Sequence, residues 1–545
     1  MKENRNFIIL LLLISSALFM VNLDVVFVNI MEARNFITAR EMIIDGNWVF
    51  TTMNAEPRYE KPPLPTWLTA FSMLTFGMKS LFFLRLPAAI MGVIIVIFSY
   101  KLLDKITQNK FLSFIAGLIT ATSFYIIMSS RDGQWDIFAH AFMLVSIYYF
   151  YMLCTHSKKL WRYTILGALF FGFSFLSKGP VSHYALLLPF LIAYGFTFGL
   201  KELKHKKKYL LCFIILAIVI SLSWNLYIYL FDTKLFVEVA QKETGNWTGY
   251  NIRPFYYYWS FFTQSGVWTL PAFVALLYPY LKNKVIYKKA YTFTFLWTIF
   301  SVILLSLIPE KKSRYLLPVL IPMAMNTAFY FEYLFRSFKS SMKIHEKWVV
   351  YVHFGVLIII GVAYPFLMYF FQDNLFIRDS IDLIWFILSS VLLLTLSLML
   401  FKSLKTKNIE KAFYLNIFFV LTVICFALPL LANAFSTNPD FKSTAQLRDF
   451  IENAQEPLYE FESAAPEMIW EYGKPIPVLN GNTPKENRFY LLAEKENQTA
   501  VFKFFEHQFQ VSTITTYDMN QSPKGSKTHR NRLYRDLYLV IRKTE

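Results

Sequence analysis

The run Arg58-Tyr59-Glu60-Lys61-Pro62-Pro63 places an ammonium beside two prolines, which fix φ and leave the backbone around Lys61 little freedom. A rigidly placed ammonium next to an apolar segment suits an anionic group such as a phosphate, above all one whose apolar tail stays in a bilayer. A solvated surface lysine is the plain alternative. Three further short loops carry matching residues: Arg131-Asp132-Gly133-Gln134-Trp135-Asp136, Ser177-Lys178-Gly179-Pro180 and Pro309-Glu310-Lys311-Lys312-Ser313-Arg314-Tyr315. Lys178 sits where two apolar helices meet, a costly place for a charge without an anionic partner. Arg314 with Tyr315 can grip phosphate oxygens, or Arg314 can simply snorkel. Among the acids, Glu32 opens the loop that holds Lys61, and Asp24 stands about two helical turns before Met31. Asp136 opens a helix at its positive end, where a carboxylate either caps or reacts. A carboxylate can take a proton from, or orient, an attacking oxygen. Clustered cations stabilise negative charge that develops as a bond breaks.

These residues need elements that hold them at one place. The chain of 545 residues is 56% hydrophobic with 57 Phe and 33 Tyr, too apolar for a soluble surface, and reads as a polytopic α-helical membrane protein. About 13 apolar stretches are long enough to span about 30 Å of hydrocarbon. They fall near 6–27, 81–103, 111–129, 136–154, 161–177, 180–199, 209–231, 263–281, 291–308, 315–335, 349–371, 381–401 and 411–433. Lys and Arg crowd alternate connections, such as Lys204 to Lys208, Lys282 to Lys289 and Arg336 to Lys347, which places the N-terminus in the cytoplasm and the tail outside. That bias accounts for most of the +18 formal charge, so no nucleic-acid partner is expected. Residues 6–23 lack a small-residue cleavage site and read as a retained first helix. Cys154, Cys212 and Cys425 lie in apolar helices without metal spacing and read as packing residues.

Residues 1–433 therefore form the transmembrane domain, and 434–545 a small extracytoplasmic α/β domain. In the latter, 489–493, 499–505, 509–517 and 537–542 read as strands and 443–454 as a helix. In the first outer loop Ala33, Phe36, Ile37, Ile43 and Ile44 share one helical face, whereas Arg34, Thr38, Glu41 and Asp45 share the other, with Gly46 as a stop. That pattern predicts an amphipathic helix in the interfacial plane, or a plain amphipathic connector. The loop 232–262, with Tyr256-Tyr257-Tyr258-Trp259, is rich in aromatics that mark the interface or stack on a sugar.

The motifs Glu32-x-Arg34, ARE-M-x-x-x-G-x-W at Ala39 to Trp48, EKPPL-x-x-W at Glu60 to Trp67, Trp135-Asp136, Ser177-Lys178-Gly179-Pro180 and Arg314-Tyr315-Leu316-Leu317-Pro318 together resemble a known group. They are similar to those of the membrane C superfamily of glycosyltransferases that use lipid-linked sugars, in particular the bacterial aminoarabinose transferases, and more distantly the protein O-mannosyltransferases. The resemblance covers about residues 1–335. It implies transfer, with inversion, of a sugar from a polyprenyl phosphate, such as undecaprenyl phosphate, to lipid A or another envelope acceptor outside the inner membrane. By position Lys61 matches the family's phosphate-binding lysine, Tyr315 a tyrosine of its later phosphate-side loop, and Asp136 its second acid. The family's usual Asp-Glu is Met31-Glu32 here, so the candidate for the catalytic base is Glu32 first, then Asp136, then Asp24. Arg58, Lys178, Lys312 and Arg314 join the phosphate side on charge and predicted side alone. Glu60 could approach a divalent ion, but no His or Cys completes a ligand set, and no metal is assigned. A carrier or flippase for a lipid-linked sugar is the rival class; it calls for repeated halves and deep polar groups, whereas these residues gather on one side.

Overall fold

The computed structural model describes residues 2–370 and 377–543. Position 371, the end of the predicted span 349–371, and positions 1, 544 and 545, at the ends of the two predicted domains, lie outside the described residues. In chain order come α1 (Lys2–Met20), α2 (Ile30–Ile44), the hairpin β1 (Thr52–Met53) and β2 (Glu56–Pro57), α3 (Leu64–Phe76), α4 (Leu81–Thr107), α5 (Lys110–Thr122), α6 (Phe124–Ser130), α7 (Asp136–Thr155) and α8 (Leu160–Lys178). They are followed by α9 (Leu188–Phe198), α10 (Lys207–Phe231), α11 (Thr233–Gly249), α12 (Thr269–Ala275), α13 (Tyr278–Leu281), α14 (Lys288–Leu307) and α15 (Leu317–Ser337). The helical part closes with α16 (Ile344–Phe370), α17 (Ser380–Lys405), α18 (Ile409–Thr422) and α19 (Leu428–Phe435).

Among the described residues eight helices are long and apolar enough to cross a membrane, or nine when α5 and α6, bent by 64°, count as one span. This is an integral membrane protein, with fewer full-length spans than the 13 stretches read from hydropathy. The difference has local causes. Residues 263–281 are broken by Gly266 at φ +66° into 3₁₀ turns and the short α12 and α13. Asn6–Met20 and His183–Phe198 are apolar but shorter than a span. α15, in the predicted stretch 315–335, carries Asn326, Glu332 and Arg336 among its apolar residues, and it is buried along nearly its whole length in the largest apolar core. Its Asn326 finds partners there, donating to the Ala275 carbonyl at 2.9 Å and accepting from Thr294 at 3.1 Å, which meets the demand that buried polar groups be paired.

The predicted amphipathic helix exists as α2 but does not lie free in an interface. Both of its faces are buried, Arg40 and Glu41 included. Glu41 accepts from Thr52 Oγ1 at 2.6 Å and Asn54 N at 2.7 Å on the hairpin side, while Arg40 lies 5.7 Å from the Trp470 ring. Thr38 and Glu41 of its polar stripe are satisfied by protein, whereas Asp45 at its end is exposed.

Residues 445–542 carry a five-stranded sheet of β3 (Leu458–Phe461), β4 (Val478–Leu479), β5 (Arg488–Glu494), β6 (Phe509–Asp518) and β7 (Tyr534–Arg542), in the order β4-β3-β5-β7-β6. β3 pairs parallel with β4 and β5; β7 pairs antiparallel with β5 and β6. Three helices accompany it, α20 (Ala445–Ala454), α21 (Pro466–Tyr472) and α22 (Gln498–Phe505). α22 replaces the strand expected at 499–505: Val501 and Phe505, four apart, are both buried, which is a helical and not an alternating spacing. α21 packs on α2 through Trp470 and Phe36, whose rings are 5.3 Å apart. Beside them Asn54, at the hairpin turn, donates to the Ile476 carbonyl and accepts from its N–H, each at 2.7 Å.

Candidate functional site

The site is built where the start of α2, the Arg58–Pro63 segment, the loop before α7, the end of α8 and the 309–316 segment meet. Asn29 caps α2: its Oδ1 accepts from the Met31 and Glu32 amides at 2.9 and 3.2 Å, and Glu32 Oε2 accepts back from the Asn29 N–H at 3.3 Å. Glu32 also takes a bidentate pair from Arg85 at 2.7 and 2.9 Å, and the Gly133 N–H at 2.8 Å, with both ionic partners almost fully buried. With the Asn29 amide at 3.1 Å as well, the acceptor capacity of this carboxylate is used up. Gly133 itself has no room for a side chain, since a Cβ would stand 2.7 Å from the Phe36 ring.

Asp136 is the first residue of α7 and is bound by Lys178 at the end of α8, both nearly out of solvent. Lys178 found the anionic partner its position demands. Its ammonium also lies 5.4 Å from the Tyr315 ring. Tyr315 donates to Glu310 at 2.9 Å, and Lys312 pairs with the same carboxylate oxygen at 2.6 Å. Burial, then the Glu310 charge, raises the Tyr315 phenol. Burial works against the Arg314 charge, but Asp136 and Tyr315 outweigh it and its pKa is raised. Lys61 pairs with Glu243 of α11 at 2.7 Å and keeps about a fifth of its side chain exposed. Glu60 lies 3.9 Å from Arg58 and 3.8 Å from Lys242, and Tyr59 donates to Asp232 at 3.0 Å. Arg58 stacks 5.0 Å from the Trp135 ring; burial, with Arg34 adding repulsion, lowers its pKa to about 10.

Thus Glu32, Arg58, Lys61, Asp136, Lys178, Lys312, Arg314 and Tyr315 belong to neighbouring loops joined by shared partners. Asp24 does not share them. The helix it was placed on stops at Met20, and Asp24 is exposed on the turn that follows, so helical periodicity no longer sets its face. Sequence reasoning passed over Arg85, Asp132 and Glu243. Arg85 lies four residues into an apolar helix, and a cation there calls for a buried acid. Asp132 was in view but overshadowed by Asp136.

Several buried polar atoms of these loops have no hydrogen-bond partner: Nε of Arg34 and Arg314, Trp135 Nε1, Asp132 Oδ1, Gln134 Oε1 and Glu60 Oε2. Unspent donors and acceptors at one place are what a polar ligand would satisfy. Among the described residues no three His, Cys, Asp or Glu side chains gather as a metal site.

Known proteins are similar to this chain in sequence and in fold. A family described as dolichyl-phosphate-mannose-protein mannosyltransferase matches residues 60–224. An uncharacterised protein of Aquifex aeolicus is 28% identical over 295 residues, 53% of this chain and 57% of that protein. An undecaprenyl phosphate-alpha-4-amino-4-deoxy-L-arabinose arabinosyl transferase of Pseudomonas savastanoi pv. phaseolicola is 26% identical over 314 residues, 54% of this chain and 55% of its own length. The chain spans a little over half the length of these relatives. Over the whole chain, the crystal structure of ArnT from Cupriavidus metallidurans in the apo state superposes with a TM-score of 0.70 at 14% identity, covering 98% of each chain. The same protein bound to undecaprenyl phosphate gives 0.69 at 15% identity, again with 98% of each chain covered. The chain resembles the aminoarabinose transferases and has the ArnT fold. That likeness extends through the five-stranded sheet, well beyond residue 335 where the shared motifs end.

Proposed function

We propose that this protein is a glycosyltransferase of the bacterial inner membrane that moves a sugar from a polyprenyl phosphate, undecaprenyl phosphate in the first instance, to an acceptor on the periplasmic side, with lipid A as that acceptor. The likeness to relatives named for undecaprenyl phosphate-linked aminoarabinose supports the donor class. The observation that carries the reading is the set of cations from separate loops, with unspent Nε donors on Arg34 and Arg314, beside the partly exposed Lys61. A departing phosphate is a stable anion, so cations that neutralise it matter more than a strong acid. Lys61 and Arg58 from one segment, and Lys178, Lys312, Arg314 and Tyr315 from the others, are assigned to the phosphate. Glu32 is assigned to holding the start of α2 against Arg85, and Asp136 to fixing Lys178. The N-terminus lies in the cytoplasm, and residues 434–545 form the periplasmic domain.

Mass spectrometry of envelope lipids and glycoproteins from a deletion strain, with and without the restored gene, tests this. Loss of a sugar from lipid A and its return on complementation is the expected outcome. Loss from proteins instead would make the acceptor a polypeptide. Unaltered envelopes with blocked movement of lipid-linked sugar would overturn the transferase in favour of a carrier.

A further inference from the structure

The three acids that the Arg131–Asp136 loop carries or touches differ in what they have left to give. Glu32 is saturated by Arg85, Asn29 and Gly133, and Asp136 is taken by Lys178. Asp132 is not. One of its oxygens, Oδ2, accepts from the Gln134 amide, while Oδ1 is buried without any hydrogen bond. The residue as a whole keeps some exposure.

Its neighbours on both sides are clamped. Arg131 donates to the Leu18 and Val21 carbonyls at 3.0 and 2.7 Å. The Gly133 N–H is held by Glu32, and its carbonyl accepts from Asn35 at 2.8 Å. Asn35 is fixed in turn by Thr66 at 2.7 Å and Thr69 at 3.1 Å, both on α3, the helix that begins at the Glu-Lys-Pro-Pro run. The carboxyl is thus carried on a backbone locked at both ends and tied to the segment bearing Lys61, the rigidity a reacting group needs. Asp132 shares its short loop with Trp135, whose ring lies 5.0 Å from the Arg58 guanidinium, and with Asp136, which holds Lys178.

We propose that Asp132 is the general base of sugar transfer, an assignment that rests on the glycosyltransferase reading above. Asp132 Oδ1 takes the proton of the acceptor O–H as that oxygen bonds to the sugar's anomeric carbon. The bond from that carbon to the phosphate oxygen breaks, and its electron pair leaves with the polyprenyl phosphate, whose charge the cations hold. The proton then passes from Asp132 to water. The acceptor is an oxygen that still carries a proton, either a hydroxyl or a singly ionised phosphate monoester.

The charged groups around Asp132 suit that work. Burial, then the Glu32 charge, pushes its carboxyl well above the ordinary range, while Asn29, Arg85 and Gln134 keep the ionised form within reach. A raised pKa makes the ionised carboxylate a stronger base toward the acceptor proton. Since the ionised form reacts, the rate rises with pH through that elevated value.

The test uses full-length protein in membranes of a deletion strain, which hold native donor and acceptor, and follows polyprenyl phosphate release from pH 5.5 to 9. D132N is expected to lower kcat by about 100-fold or more and to abolish the rising arm of the pH profile. Its Kd for undecaprenyl phosphate, measured on the purified protein, is expected to stay within about twofold. D132E is expected to recover part of the rate with a displaced arm. A D132N enzyme that keeps the wild-type pH arm overturns the assignment. So does one that loses undecaprenyl phosphate binding along with kcat and is not rescued by D132E, since Asp132 would then be structural. A wild-type protein that releases no polyprenyl phosphate from these membranes overturns the transferase reading itself, and this assignment with it.

Discussion

Lys61 meets Glu243 in a pair at 2.7 Å that is part exposed on both sides, 21% and 38%. A carboxylate against an ammonium occupies the place a phosphate oxygen would take, so in the proposed enzyme a donor must displace Glu243. Exposed pairs of this sort are worth about 0.2–1 kcal/mol. E243Q is therefore expected to tighten binding of undecaprenyl phosphate by about two- to fivefold, and K61A to weaken it by about tenfold or more, both read by titration in detergent. Equal affinity in all three proteins would remove Lys61 from the phosphate site. Lys61 was legible because two prolines flank it. Its partner was not, because Glu243 lies 182 residues further along the chain, and one sequence carries no signal of such a contact. Arg85 and Glu32 show the same limit: each reads as a charge near a bilayer, and only their meeting reveals that the acid is spent.

Elements fared differently according to whether hydrophobic period or tertiary contact decides them. α2 ends within two residues of its glycine stop, Gly46, yet its surroundings were misread because the hairpin and α21 cover the polar face. β5 and β7 cover their predicted segments; α22 does not, since seven mostly apolar residues fit either period. Within that sheet β3 and β7 enclose Glu460 and Arg535, both fully buried. Arg535 spends its donors on the Arg532 and Ser463 carbonyls at 2.9 Å and stays 3.9 Å from Glu460, whose two oxygens have no hydrogen bond. Burial, eased in part by Arg535, raises the Glu460 carboxyl to about 8. In the unfolded chain it ionises near 4.5. As pH rises between these values the unfolded state releases its proton first, so the sheet is most stable below that window and loses on the order of 5 kcal/mol across it. Hydrogen-exchange protection of β3 and β7 in the intact protein should fall from pH 5 to 8, and Glu460→Gln should flatten the fall. A slope unchanged by that substitution would mean Glu460 is not the group responsible.

At the scale of the whole molecule, sidedness links the site to the sheet. Asn54 is bonded at both of its amide atoms to Ile476, and Trp470 packs on Phe36, so the loop carrying Lys61 and the five-stranded sheet lie on one side of the bilayer. The opposite side is marked by Lys206, whose ammonium donates at 2.8 Å to each of the Leu153, Cys154 and His156 carbonyls that end α7, while Asp136 opens that helix on the site's side. Cations at the C-terminus and an acid at the N-terminus both favour the helix dipole, and in the proposed orientation the basic end faces the cytoplasm. The three native cysteines are buried or half-buried in helices and give little background to a membrane-impermeant maleimide. Lys527→Cys, exposed in the loop after β6, is therefore expected to react in intact spheroplasts, and Lys158→Cys, exposed after α7, only once the membrane is opened. The reverse pattern would put the cation cluster in the cytoplasm, where an acceptor on the outer face cannot reach it, and would end the proposed reaction regardless of how the individual residues behave.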